Sequence, residues 1–129
     1  MKGFQVNHPS ELESVLKTAL ENSKDVHVLF YGSLEPETNK SWCSDCVDAD
    51  PKIKSHITEK EEGSFIECPV GDRASWKGVA DHPYRVHPQA SLKAIPTLIR
   101  WTKEGPQNRL VEEECSDDDL LKKFFNNES

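Results

Sequence analysis

Apolar positions recur along this chain with two different periods. Leu12, Val15, Leu16, Ala19 and Leu20 are spaced three and four apart, which predicts a helix over residues 9–21. Ser10 with Glu13 has the form of a capping box at its start. Val26–Tyr31 is almost unbroken apolar sequence, as expected of a strand covered on both faces. Residues 32–41 are polar, contain Gly, Pro and Asn, and read as a loop. A helix follows over residues 43–60, with a bend where Pro51 removes a backbone hydrogen bond. Ile66, Cys68 and Val70 alternate on one face of a strand over residues 64–70. Residues 97–101 and 108–112 read as two strands joined by a turn at Gly105-Pro106. Ser116 is placed to cap a last helix whose buried stripe is Leu120, Leu121, Phe124 and Phe125. Residues 3–6 add an edge strand, and residues 71–94, with Trp76, Pro83 and Pro88, read as loops around a short helix. The order β-α-β-α-β-(α)-β-β-α implies an α/β protein: a central mixed β-sheet flanked by helices on both faces.

Composition leaves this architecture in place and narrows the functions. The 129 residues suffice for one core, so residues 1–129 are expected to form a single domain. Hydrophobic residues are only 35% of the chain but are clustered, which argues against disorder. A net charge of −7, with no run of Lys or Arg, argues against nucleic acid and against an anionic membrane as partner. No stretch approaches the roughly 20 apolar residues of a membrane span, and residues 1–5 lack the apolar segment of a signal peptide. The expectation is a cytoplasmic protein. In a reducing compartment a C-x-x-C pair is more often redox-active or metal-binding than a permanent cross-link.

The candidate chemistry lies in Trp42-Cys43-Ser44-Asp45-Cys46. Two thiols at i and i+3 on the first turn of a helix can form a disulfide, and the helix amino terminus stabilises a thiolate at the first of them. A zinc half-site is the competing reading, but zinc needs four ligands, and Cys68 and Cys115 are isolated; no metal is expected. Cys68 alternates with Ile66 and Val70 and reads as a buried, inert thiol. Cys115 is open to two readings, buried or exposed enough for regulatory oxidation. Trp42, after a polar loop and next to Cys43, reads as an exposed contact residue, with a core aromatic as the alternative. Trp76 and Tyr84 read as packing or loop residues. Asp45 is either a proton-handling group or a first-turn acid favoured by the dipole.

Trp-Cys-x-x-Cys, a helix-bending proline five residues later, and Ala94-Ile95-Pro96-Thr97 before the next strand, with Pro96 lying 50 residues beyond Cys46, together resemble the thioredoxin superfamily. The resemblance tightens to its Clot-like branch of 14-kDa thioredoxin-related proteins. The residues that tighten it are the W-C-x-D-C form, the inserted loop 32–41, Cys68-Pro69-Val70-Gly71-Asp72, Trp76-Lys77 and Leu110-Val111-Glu112-Glu113-Glu114-Cys115. It implies a thioredoxin fold with a cis proline at Pro96 facing the disulfide, and backbone at Ile95 that pairs with a bound substrate segment. Two departures stand out. Ser44 occupies the place where the branch commonly has proline, which frees a backbone N–H and loosens the turn. Leu29 or a neighbour occupies the place of the buried aspartate of ordinary thioredoxins, leaving Asp45 as the nearest carboxylate.

The function implied is a protein-disulfide and cystine reductase with a narrower substrate range than thioredoxin. Cys43 is the expected nucleophile and Cys46 the resolving thiol, with Trp42, Ser44, Asp45, Ile95 and Pro96 in support. The helix terminus is expected to lower Cys43 from about 8.5 towards about 7, and the Asp45 carboxylate to oppose this by on the order of 1–2 kcal/mol. The resemblance implies no bound cofactor, electrons from NADPH through thioredoxin reductase, disulfide-containing proteins or cystine as substrates, and a monomer. Two other classes fit the sequence less well. A non-catalytic interaction module on the same fold has no need of both cysteines. A glutathione-dependent glutaredoxin would have Tyr in place of Asp45, and no basic glutathione contacts are evident in the sequence.

Overall fold

The computed structural model describes residues 1–60 and 62–126. Its elements in chain order are β1 (Lys2–Gln5), a 3-10 turn (Pro9–Glu11), α1 (Leu12–Asn22), β2 (Val26–Tyr31), α2 (Ser44–Thr58), β3 (Ser64–Pro69), α3 (Arg73–Trp76), α4 (Pro83–Val86), β4 (Thr97–Thr102), β5 (Gly105–Val111), a second 3-10 turn (Glu112–Ser116) and α5 (Asp118–Phe125). The five strands form one mixed sheet in the order β1-β3-β2-β4-β5. β3 runs parallel to both β1 and β2, while β2–β4 and β4–β5 are antiparallel.

The apolar run of β2 follows from its central place. Val26, Val28 and Phe30 enter one core with Leu12, Leu16 and Ala19 of α1 and with Trp76 and Tyr84. Leu29 enters a second core with Ala49 and Ile53 of α2 and with Leu121, Phe124 and Phe125 of α5. Each fully buried Leu, Ile or Phe contributes about 1.5–3 kcal/mol relative to an exposed one, and α1 turns Leu12, Leu16 and Ala19, and α5 Leu121, Phe124 and Phe125, into the two cores. The helices therefore cover both faces, as the pattern predicted.

Several element boundaries differ from the sequence reading. The first helix begins as a 3-10 turn capped by His8, whose Nδ1 accepts from the Ser10 amide at 3.2 Å, while Glu11 accepts from the His8 amide at 3.0 Å. Pro9 fixes the first helical φ and holds His8 extended, so the cap forms two residues before Ser10. Asp117 rather than Ser116 caps α5, accepting from the amides of Asp119 and Leu120, because Ser116 is still inside the second 3-10 turn. Gly105-Pro106 opens β5 instead of forming the turn: Thr102 pairs with Gly105 and Trp101 with Pro106. Pro106 is tolerated there because β5 is the sheet edge, where an N–H is dispensable. Residues 71–94 contain two short helices, α3 and α4, in place of one. α2 spans Ser44–Thr58 and runs through Pro51, which has no N–H to offer the carbonyl of Val47.

Candidate active site

The site forms off the carboxyl end of β2, where the chain leaves the sheet through residues 32–41 and re-enters at α2. The loop is closed on itself: Leu34 bridges Ser41, and the Glu35 amide donates to the Lys40 carbonyl at 2.8 Å. Its anchor is Gly71, just past β3. The Gly71 carbonyl accepts from the Ser33 amide at 3.0 Å and from Trp42 Nε1 at 2.8 Å, and its amide donates to Ser33 Oγ at 3.0 Å. Gly71 holds φ at +108°, a conformation that disfavours any side chain. Gly32 lies so close to the indole that a Cβ there would sit 2.7 Å from Trp42 Cε2. Trp42 is thus half-buried and hydrogen-bonded, a wall of the site, where the sequence suggested an exposed contact residue.

Cys43 is the N-cap of α2, with extended backbone (φ −93°, ψ 114°), and its amide donates to Ser41 Oγ at 3.1 Å. Cys46 lies one turn into the helix and is buried, whereas Cys43 is half-buried. Both thiols are free. The Cys43 thiol falls from its ordinary value of 9.0 to about 7. The largest cause is the hydrogen bond it receives from the Cys46 thiol; burial opposes it, the backbone amides of Cys46 and Asp45 help it, and the Asp45 charge opposes it. The hydrogen bonds outweigh the carboxylate because Asp45 is exposed to solvent, which screens its charge. Cys46 is pushed strongly upward, first by the same shared hydrogen bond and then by burial.

Ile95-Pro96 is a cis peptide bond, and the Ile95 carbonyl oxygen lies 3.9 Å from Cys43 Sγ. The Pro96 carbonyl is held from the other side by the Glu112 amide at 2.7 Å. Two cavities flank the dithiol. One, of about 410 Å³, is lined by Cys46, Pro96, Leu29, Tyr31 and the exposed loop residue Leu34. Leu29 lines this cavity with Cys46, and the carboxylates on it are Asp50 and Glu67, the latter the register neighbour of Leu29 on β3; Lys54 lies 3.7 Å from Asp50 and 2.7 Å from Glu67. Asp45 lines the other cavity, of about 390 Å³, with Trp42, Cys43, Ser44 and Ile95. That cavity also gathers Arg73, Lys77, Arg85 and Lys93. The sequence therefore does hold basic groups beside the nucleophile, scattered over 21 positions with no motif to mark them. Ser41, Gly71 and Glu67 were missed for a related reason: they act through a hydroxyl, a backbone carbonyl and a cross-strand register that carry no local pattern.

The remaining cysteines are buried on opposite faces. Cys68 packs in the first core, and burial raises its thiol above the ordinary range. Cys115 is 0% exposed in the second core, donates to the Leu110 carbonyl at 3.4 Å, and is pushed up to about 12 by burial, which settles its two readings in favour of the buried one. Among the described residues no group of three or more His, Cys, Asp or Glu is arranged to hold a metal ion, and no helix is long and apolar enough to cross a membrane.

This sheet order, with a Cys-x-x-Cys at the start of α2 and a cis proline against it, defines a thioredoxin-fold dithiol protein. Solved structures agree on the fold: Arabidopsis thaliana thioredoxin O2 in the oxidised state superimposes with a TM-score of 0.67 at 15% identity, covering 98% of this chain and 93% of that one. Fasciola hepatica thioredoxin gives 0.62 at 18% identity, covering 100% of both chains. The chain belongs to the family described as thioredoxin domain-containing protein 17-like, thioredoxin domain, whose family model matches residues 5–127. It is 38% identical to the thioredoxin-like protein Clot of Arabidopsis thaliana over 84% of each chain. It is 40% identical to thioredoxin domain-containing protein 17 of Epinephelus coioides, over 79% of this chain and 78% of that one, and 34% identical to the Homo sapiens protein of that name, over 81% and 80%.

Proposed function

We propose that the protein is a thiol–disulfide oxidoreductase that reduces cystine and protein disulfides. The observation that carries this reading is the Cys43–Cys46 pair itself: two free thiols in contact, one half-buried with a thiolate-favouring environment, the other buried behind it. The Cys43 thiolate attacks one sulfur of a substrate disulfide, forming a mixed disulfide and releasing the other sulfur as a thiolate, which takes up a proton. Cys46 then loses its proton and attacks Cys43 Sγ. The Cys43–Cys46 disulfide forms and the second substrate sulfur leaves as a thiol, so two electrons and two protons have passed to substrate.

The pair controls its own order of reaction. The largest force holding the proton on Cys46 is its hydrogen bond to Cys43. Once Cys43 carries substrate it has no negative charge to share, so that force disappears when Cys46 must act. Trp42 and the Ile95-Pro96 segment shape the surface on which substrate lies, Ser44 opens the helix, and Asp45 tunes Cys43 through charge. The family resemblance supports a cycle closed by NADPH through thioredoxin reductase, with no bound cofactor, in a monomer of the cytoplasm. With thioredoxin reductase, NADPH and cystine, the protein should drive NADPH oxidation, and Cys43→Ser should abolish it. Absence of NADPH oxidation, or its survival in Cys43→Ser, overturns the proposal.

A further inference from the structure

The cavity beside Cys43 has the opposite charge from the molecule that contains it. The chain carries a net charge of −7, yet this cavity is lined by four cations, Arg73, Lys77, Arg85 and Lys93, against two carboxylates, Asp45 and Glu112. Among the described residues none of the four has an ion-pair partner. Arg85 is fixed as the frame. Its guanidinium lies 3.7 Å over the Trp76 ring and donates to the Trp76 carbonyl at 3.2 Å and the Lys93 carbonyl at 3.3 Å. It thereby ties α3, which carries Arg73, to the segment that carries Lys93 and leads to Ile95. Arg85 Nε is buried with no hydrogen-bond partner, and a half-buried cation with no counter-charge is costly unless an anion approaches.

We infer that this cavity selects polypeptide disulfides whose reacting cysteine is flanked by Asp or Glu, with Arg73, Lys77 and Lys93 receiving the carboxylates as the disulfide reaches Cys43. The inference rests on the reductase reading above and names its substrate class. Cystine, with two ammonium and two carboxylate groups, is neutral overall and gains no net attraction from such a cavity. A peptide with unbalanced carboxylates does. Charged clefts raise encounter rates by roughly 10- to 1,000-fold at low salt, and the exposed positions of Arg73, Lys77 and Lys93 place this cavity at the lower end.

The test uses pre-reduced protein in single-turnover reactions, without a reductase. Two peptides share one disulfide and differ only in Asp or Asn beside the cysteines. Dithiothreitol, an uncharged dithiol, gives the intrinsic ratio of their reactivities. Relative to that ratio, the protein should favour the Asp peptide by about tenfold at low ionic strength, and the preference should vanish at about 1 M salt, where screening acts within about 3 Å. The combined variant Arg73→Glu, Lys77→Glu and Lys93→Glu should lose or invert the preference. Lys17→Glu, Lys24→Glu and Lys103→Glu, which change the net charge equally but elsewhere, should keep it. Because a ratio is read, any altered reactivity of Cys43 cancels. Equal reduction of both peptides, or a preference that survives salt or the first variant, overturns the inference while leaving the reductase intact. Failure to reduce either peptide overturns the reductase reading itself.

Discussion

At the scale of single residues, the chemistry depends on how one proton is shared. Cys43 sits at about 7 chiefly because the Cys46 thiol donates to it, with the amides at the start of α2 as lesser contributors. Replacing Cys46 with Ala removes the donor, so the pH midpoint for alkylation of Cys43 by iodoacetamide should rise from about 7 towards 9. Asp45→Asn removes a charge that opposes the thiolate, so it should move the midpoint down. A midpoint unmoved by Cys46→Ala would mean that the helix terminus alone sets Cys43. At this scale the sequence was most legible for residues whose role is chemical and local. Cys43, Cys46 and Pro96 could be picked out because the motif and its spacing are one-dimensional. Trp42 could not be placed, since its partner is a backbone carbonyl, Gly71, 29 positions away.

At the scale of elements, the start of α2 bears on one of the two departures from the family pattern, Ser44. Ser44 is the first helical residue after an extended N-cap, the position where proline fits best and where the preceding residue must be extended. The amides that stabilise Cys43 belong to Asp45 and Cys46, not to Ser44. Ser44→Pro should therefore leave the thiolate contacts intact and stabilise the fold by about 0.4–1 kcal/mol through the unfolded chain, measured by urea unfolding of the reduced protein. A loss of stability would show that the Ser44 amide has a partner that the replacement removes. Long elements were legible because burial repeats along them: Leu12, Leu16 and Ala19 mark α1, and the apolar run of β2 marks a strand with neighbours on both sides. Elements of four residues, α3 and α4, are too short to show a helical period, and they bring Arg73 and Arg85 to the site. Pro106 misled for a different reason, because an edge strand tolerates a residue that reads as a turn.

At the scale of the whole molecule, the two cores set how the protein responds to acid. His27 is buried on β2, with the Phe124 and Phe125 rings at 5.4 and 5.0 Å, and burial lowers it from 6.5 to about 4. The facing charges are Asp25, which raises it, and Lys60 and Arg100, which lower it; Arg100 pairs with Asp25 at 2.8 Å. The unfolded chain takes up this proton near 6.5 and the folded protein only near 4, so stability falls as pH drops through that window. Between about pH 7.5 and about pH 4.5, wild type should lose about 2–3 kcal/mol more than His27→Phe in urea unfolding. Equal losses would show that the ring titrates normally in the fold. The same two cores hold α2 against the sheet with Cys46 inward and Cys43 at the surface, and the account depends most on that asymmetry. Its most direct test is to incubate Cys46→Ser with cystine and map the adduct by mass spectrometry after non-reducing digestion. The account predicts one half-cystine, on Cys43, released by reductant; no adduct, or an adduct on Cys68 or Cys115, would contradict it.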